Sequence, residues 1–296
     1  MYKFRFFLVS FFLLLSSVLF SQNNKVFIKP EKVLYKSTEQ GDLNLYFYRP
    51  LNFDTSKKYN CIIFFHGGAW NNGNYKQFER QAMYFASRGM IAISAEYRIK
   101  SKHGTTPFES IEDAKSAIRF VRKNSKSYSI NNQRIVASGG SAGGHLAAST
   151  ANVKGFDNSN ENLEVSSKPN ALVLYNPVLD TGPDAWGYYS FLRRMDGKMI
   201  KNPIDGSPFH GITKDSPPTI ILTGTNDKIV SVEMINRYKR KMESYGLRCD
   251  VVYYKGAEHS FFNKGKDFID TLLKSDIFLK SNWYLEGLPT VKKQYQ

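Results

Sequence analysis

The run Gly139-Gly140-Ser141-Ala142-Gly143 puts a serine inside a glycine-flanked turn, a setting in which a hydroxyl can serve as an exposed nucleophile. Five matching residues mean little alone, so the flanks matter. Arg134 to Ser138 before it reads as a short strand, and the alanine-rich stretch around Leu146 and Ala148 after it reads as a helix. A serine between the two projects above the carboxyl end of a sheet, beside the unpaired N–H groups and positive potential of a helix N-terminus. That environment favours the oxyanion formed when a hydroxyl attacks an acyl carbonyl.

Such an attack needs a base for the serine proton and an acid that fixes the base's tautomer. Of the five histidines, His66 belongs to the glycine loop His66-Gly67-Gly68-Ala69-Trp70, His145 lies in the helix after the serine, and His103 and His210 lie in polar loops. His259 directly follows the last apolar strand, within Gly256-Ala257-Glu258-His259-Ser260-Phe261-Phe262, and is the candidate base. Loops at that end of a parallel sheet open onto a common crevice. The candidate acid is Asp227, in Gly224-Thr225-Asn226-Asp227 after the preceding strand. Glu258, beside His259, and Asp180, after an earlier strand, are the rival carboxylates. The loop from His66 to Trp70 ends a central strand, where glycines let backbone N–H groups face an incoming carbonyl oxygen.

The elements that must carry these loops follow from hydrophobic periodicity. Lys32 to Ser37 and Leu43 to Arg49 read as two strands around the turn-rich Glu39-Gln40-Gly41-Asp42, an antiparallel entry to a sheet. Cys61 to Phe65, Met90 to Ala95, Ala171 to Tyr175 and Thr219 to Thr223 are continuous apolar runs of strand length, the pattern of strands covered on both faces. Cys249 to Tyr254 supplies a last strand. Helices are expected over Tyr75 to Arg88, Pro107 to about Asn124, Val232 to Tyr245 and Asp267 to Leu279. Strands alternating with helices of this length predict an α/β fold with a mostly parallel sheet wrapped on both faces. One long irregular stretch, Val178 to Pro218, holds Trp186, Tyr188, Tyr189 and Phe191 and reads as a small cap or wall over the site.

The remainder of the chain bounds the setting. Lys3 and Arg5 precede an apolar run from Phe6 to Leu15, with Ser16, Ser17 and Ser21 behind it, which is the layout of a signal peptide over residues 1–22. The run is short of the about 20 apolar residues of a spanning helix. Export with cleavage near Ser21 is the expectation, and a retained N-terminal anchor the alternative. The formal charge of +15 drops to about +13 without Lys3 and Arg5, leaving residues 23–296 as one basic domain. The basic residues are dispersed rather than gathered into a nucleic-acid-binding patch, so they read as a solvated surface; attraction to an anionic glycan is the sharper alternative. Cys61 and Cys249 sit in separate strands and are expected as buried free thiols. No CxxC or histidine cluster suggests a metal, and the chemistry requires no cofactor.

These motifs resemble the α/β-hydrolase family, in its branch of hormone-sensitive-lipase-like esterases and bacterial carbohydrate acetyl or feruloyl esterases. His66 to Trp70 resembles the branch's HGGG or HGGxW loop. Gly140 to Ala147 is similar to its GxSAGGHLA form, Gly224 to Val230 to its GTxDxxV acid loop, and Gly256 to Phe262 to its GxxHxF loop. Ser207-Pro208-Phe209-His210 and Pro217-Pro218 fit the same branch, and the likeness runs from Leu43 to Leu279. The resemblance implies Gly68, Ala69 and Ala142 as oxyanion N–H donors, with Ser141, Asp227 and His259 as the catalytic set. Two residues depart from the pattern: Ala69 replaces the third loop glycine, and Gly140 stands where lipase-like members often carry aspartate. Both incline the reading toward an exported esterase removing short acyl groups from carbohydrate. A lipase or general carboxylesterase, an amide-directed relative, and an inactive glycan-binding module on the same fold are the competing readings.

Overall fold

The computed structural model describes residues 28–183, 185–197 and 201–295. The expected signal peptide lies outside them. Among the described residues eight strands form one sheet: β1 (Glu31–Thr38), β2 (Gly41–Tyr48), β3 (Tyr59–Phe65), β4 (Ile91–Ala95), β5 (Ile130–Gly140), β6 (Ala171–Tyr175), β7 (Thr219–Gly224) and β8 (Cys249–Tyr254). Their spatial order is β1-β2-β4-β3-β5-β6-β7-β8. β1 and β2 form an antiparallel hairpin and β2 pairs antiparallel with β4; every pairing from β4 to β8 is parallel.

Among the described residues eight α-helices accompany the sheet: α1 (Glu79–Ser87), α2 (Lys100–His103), α3 (Pro107–Lys123), α4 (Ala142–Asn152), α5 (Trp186–Arg194), α6 (Val232–Ser244), α7 (Gly265–Ser281) and α8 (Val291–Tyr295). The two-residue period of β3 sorts its side chains between two layers. Cys61, Ile63 and Phe65 pack with Ile111, Ala114 and Ile118 of α3 and Leu146 of α4. Ile62 and Phe64 pack on the other face with Ala82 and Phe85 of α1 and Leu272 of α7. The continuous apolar runs therefore belong to strands with helices on both sides. Cys61 and Cys249 are buried free thiols.

α3 begins as its sequence suggests. The Thr106 side chain accepts from the Phe108 N–H, and the Glu109 carboxylate accepts the Thr106 N–H at 2.8 Å, with Pro107 at the first helical position. Elsewhere the structure corrects the expected boundaries. β5 starts at Ile130 rather than Arg134, because the polar segment before Arg134 is drawn into the sheet by Ile130 pairing with Tyr59. It runs on through Gly139 and Gly140, which pair with Leu174 and Tyr175. The expected helix from Tyr75 opens as a 3₁₀ turn over Tyr75–Phe78, capped by Asn74, before α1 begins.

The stretch 178–218 is less irregular than expected, since it contains α5. Aromatic residues and a glycine make Trp186–Arg194 a poor helix by propensity, and packing supplies the order. Phe191 is buried edge-on against Trp70, His145 and Phe108. Gly187 allows the close approach, because a Cβ there would stand 2.2 Å from the Asp180 carbonyl oxygen.

The crossovers from β3 to β4 and from β5 to β6 run in opposite directions across the sheet. The loops after β3 and β5 therefore part at a topological switch point, where an open α/β sheet leaves a crevice beyond its carboxyl edge.

Candidate active site

Ser141 occupies the turn between β5 and α4 with φ 55° and ψ −121°, a region non-glycine residues rarely adopt. Holding it there costs about 1–3 kcal/mol, offset by the packing around it. The flanking glycines are dictated by space. A Cβ on Gly139 would lie 2.4 Å from the Gly143 carbonyl oxygen, and one on Gly143 would lie 2.0 Å from that of Phe65. Gly140 has its own reason: a Cβ there would meet the Phe262 ring at 2.5 Å. Phe262 stacks on Phe78 and leans on Tyr175, so the absent aspartate reflects the His259 loop packing onto the Ser141 turn.

The other two side chains arrive on loops tied to one another. Thr225 N–H donates to the Tyr254 carbonyl and Asn226 N–H to that of Ala257, both at 3.0 Å. Gly224 lies so close to the Ala257 carbonyl that a Cβ would sit 2.2 Å from it. The loop after β7 thus carries the loop after β8. His259 Nε2 stands 2.8 Å from Ser141 Oγ, and its Nδ1 stands 2.7 Å from Asp227 Oδ2. Asp227 Oδ1 accepts the N–H groups of Ile229 and Val230 at 2.8 and 2.9 Å. Burial works against the Asp227 charge, but the hydrogen bonds from His259 and the two N–H groups outweigh it and hold the carboxyl below its ordinary pKa.

The rival acids stand elsewhere. Asp180 lies 3.5 Å from both His210 Nδ1 and Arg237 Nη1, and Glu258 is exposed. His103 accepts the Ile99 N–H at 2.9 Å on its Nδ1.

The loop after β3 turns back on itself with positive φ at Gly68, Ala69 and Trp70. A Cβ on Gly68 would overlap the Asn72 carbonyl oxygen at 2.1 Å, whereas Ala69 accepts φ 52° with its methyl group in place. The carbonyls of Trp70 and Asn71 accept N–H groups from Lys100 and Ser101, at 2.9 and 3.1 Å. The backbone N–H groups of Gly68, Ala69 and Ala142 have no partner among the described residues. With Ser141 and His259, the loop after β3 lines a cavity of about 300 Å³. Gln77, Trp186, Arg194, Ile229 and Phe262 complete its wall. Of these, Gln77 and Arg194 were beyond motif reading, because neither stands at a fixed offset from the serine or histidine.

His66 and His145 are fully buried and serve the scaffold. His145 Nε2 lies 2.8 Å from the Gly206 carbonyl oxygen and its Nδ1 accepts the Trp70 indole N–H at 3.3 Å, joining the glycine loop to the stretch beyond α5. Tyr97 donates its hydroxyl to the His66 carbonyl at 2.7 Å and stacks on the His66 ring. Burial lowers the His145 pKa to about 3 and that of His66 to about 4, against a smaller opposing pull from the Gly206 and Gly67 carbonyls. An unfolded chain protonates both near pH 6.5. Below that pH the unfolded state binds more protons than the folded one, so stability is full above about 6.5 and falls as the medium is acidified. Urea denaturation is expected to show a decline on the order of 1.4 kcal/mol per pH unit for each histidine on going from pH 6 toward 4. A flat profile over that interval would refute the assignment of both rings as buried and neutral.

A mostly parallel sheet, a strained serine at the end of its fifth strand, and a histidine and carboxylate from the last two strand-end loops together define an α/β-hydrolase. Comparison with known proteins agrees. The BD-FAE family model matches residues 45–183, and that of the Dienelactone hydrolase family matches residues 205–277. The solved structure of a thermophilic esterase from Thermogutta terrifontis with propionate bound superposes with a TM-score of 0.82 at 38% identity, over 88% of this chain and 96% of that one. A probable carboxylic ester hydrolase, LipM, of Mycobacterium tuberculosis is 32% identical over 56% of this chain and 41% of its own. An acetylxylan esterase of Xylanibacter ruminicola is 24% identical over 70% of this chain and 41% of its own. The chain spans about a third to a half of the length of the curated relatives it matches. It belongs to the α/β-hydrolase esterase family.

Proposed function

We propose that this chain is an exported serine esterase that removes short acyl groups, acetate foremost, from carbohydrate. The observation that carries the reading is the hydrogen-bonded chain from Ser141 through His259 to Asp227 at the wall of a cavity of about 300 Å³. In the proposed reaction Ser141 Oγ attacks the ester carbonyl carbon while His259 Nε2 takes its proton. The resulting oxyanion accepts hydrogen bonds from the N–H groups of Gly68, Ala69 and Ala142. Collapse expels the alcohol, which leaves with the proton from His259. A water deprotonated by the same imidazole then attacks the acyl-serine and releases the acid.

The small cavity favours short acyl groups, in keeping with the propionate in the Thermogutta esterase. The carbohydrate assignment is supported by the acetylxylan esterase among the relatives. It is also supported by Trp186, which is exposed at the cavity wall, and Tyr189, exposed on the same helix, since flat apolar rings suit the faces of sugars. Export rests on the leader-like N-terminal sequence. A general carboxylesterase is the second reading, favoured by the likeness to LipM. A p-nitrophenyl ester series from acetate to palmitate is expected to show kcat/KM falling by at least about tenfold beyond butyrate, since a pocket of this size excludes longer chains. Acetate release from acetylated xylan should accompany it. A rate that rises toward palmitate would overturn the short-acyl assignment, and silence on every acetylated glycan would overturn the carbohydrate one.

A further inference from the structure

The cavity beside Ser141 holds a cation with no counter-charge among the described residues. Arg194 ends α5, and its Nε donates to the Ala69 carbonyl at 2.9 Å, so one edge of the guanidinium braces the oxyanion loop. That is its one side-chain hydrogen bond among the described residues, so none of these partners either terminal nitrogen. The side chain also lines the same cavity of about 300 Å³ as Ser141 and His259, and among the described residues no aspartate or glutamate lines that cavity. Partial burial opposes the Arg194 charge, and repulsion from the neighbouring Arg193 adds to it. Arg98 is matched by Asp113 and Glu112, Arg119 by Asp157 and Glu161, and Arg88 by Asp276, and Arg122, which has no carboxylate among the described residues, donates its guanidinium to the carbonyls of Asn132, Ser166 and Lys168 and to Asn170.

A guanidinium stays charged at any pH at which the fold exists, and its fork of N–H donors matches a carboxylate. Removing such a cation from water without a partner is costly, and an anionic substrate group would offset that cost only in the bound complex. Because Arg194 and Ser141 line one cavity of about 300 Å³, a substrate group that reaches Arg194 stands within a few bonds of the scissile ester. We propose that Arg194 is a specificity residue that receives a carboxylate of the substrate, so that the site prefers esters bearing an acidic group near the reacting carbonyl. Such esters include acylated uronates, with the charge on the alcohol side, and half-esters of dicarboxylic acids, with the charge on the acyl side. The inference rests on the ester-hydrolase reading of this site.

Two matched pairs test it: phenyl acetate against 4-acetoxybenzoate for the alcohol side, and p-nitrophenyl propionate against mono-p-nitrophenyl succinate for the acyl side. The native chain is expected to favour the charged member of at least one pair by about tenfold or more in kcat/KM, as a charge-assisted hydrogen bond would provide. Arg194→Gln should abolish that preference by lowering kcat/KM of the charged ester about 10- to 100-fold more than that of its neutral twin, chiefly through KM. Arg194→Lys should retain part of it. The ratio within a pair cancels any common loss from the broken Ala69 contact, which is what a purely bracing role would produce. Equal losses in both members, or no preference in the native chain for either pair, would overturn the proposal while leaving the esterase reading intact. If Arg194→Gln does not fold, the native ratios and Arg194→Lys decide the matter. A native chain inert toward all four esters would remove the esterase reading and this inference with it.

Discussion

Ser141→Ala is expected to lower kcat for p-nitrophenyl acetate by on the order of 10⁶-fold, with circular dichroism and melting temperature little changed. The size of the loss reflects the concerted unit Ser141 forms with His259, at 2.8 Å. Without the oxygen there is no acyl-enzyme, and the imidazole has nothing to deprotonate but water. What survives is the pull of the oxyanion donors on a bound carbonyl, worth on the order of 10³- to 10⁴-fold over the uncatalysed reaction. His259→Ala should cost about as much, and the double variant little more than either alone, because each removal disables the same step. The backbone at residue 141 keeps its positive φ in either case, since alanine tolerates that region no better and no worse than serine. Near-native hydrolysis by Ser141→Ala would refute the nucleophile assignment, and additive losses in the double variant would refute the coupling.

Asp227→Asn is the second large effect, a fall in kcat on the order of 10⁴-fold. Asp227 Oδ1 is held by the N–H groups of Ile229 and Val230 at 2.8 and 2.9 Å, and an asparagine keeps those bonds only with its oxygen in that place. Its NH₂ group then stands against His259 Nδ1, where Asp227 Oδ2 now lies at 2.7 Å. A donor there forces the proton onto Nε2, the atom that must accept from Ser141, so the geometry survives while the tautomer is wrong. The native carboxyl avoids this because its pKa lies below the ordinary carboxylate range, which keeps it an acceptor. Asp180→Asn is the control. Asp180 answers to His210 and Arg237, so its effect on kcat should stay within a few-fold. A large loss from Asp180→Asn beside a small one from Asp227→Asn would exchange the two assignments.

Much of this architecture is written locally. The apolar runs Cys61 to Phe65 and Ala171 to Tyr175 could only be strands buried on both faces, and β3 divides its side chains between two helical layers accordingly. The order of the serine, aspartate and histidine loops could be read because each follows a strand whose end the parallel topology brings to one edge. Polar Asn131 to Gln133 hid the start of β5, since a backbone pairing with Tyr59 leaves no mark on side-chain pattern. α5 was concealed for the opposite reason: its residues favour helix weakly, and burial of Phe191 against Trp70 and His145 overrides them.

The chain by itself therefore determined the layered sheet, the chemical types at the candidate site and their order, because these depend on periodicity and on short motifs with fixed local geometry. Only the tertiary structure decided which carboxylate meets His259, why position 140 must be glycine, and that an arginine from α5 enters the cavity beside Ser141. Those outcomes depend on contacts between segments far apart in sequence. Their distances are set by how the loops pack on one another, a quantity no single stretch of residues carries.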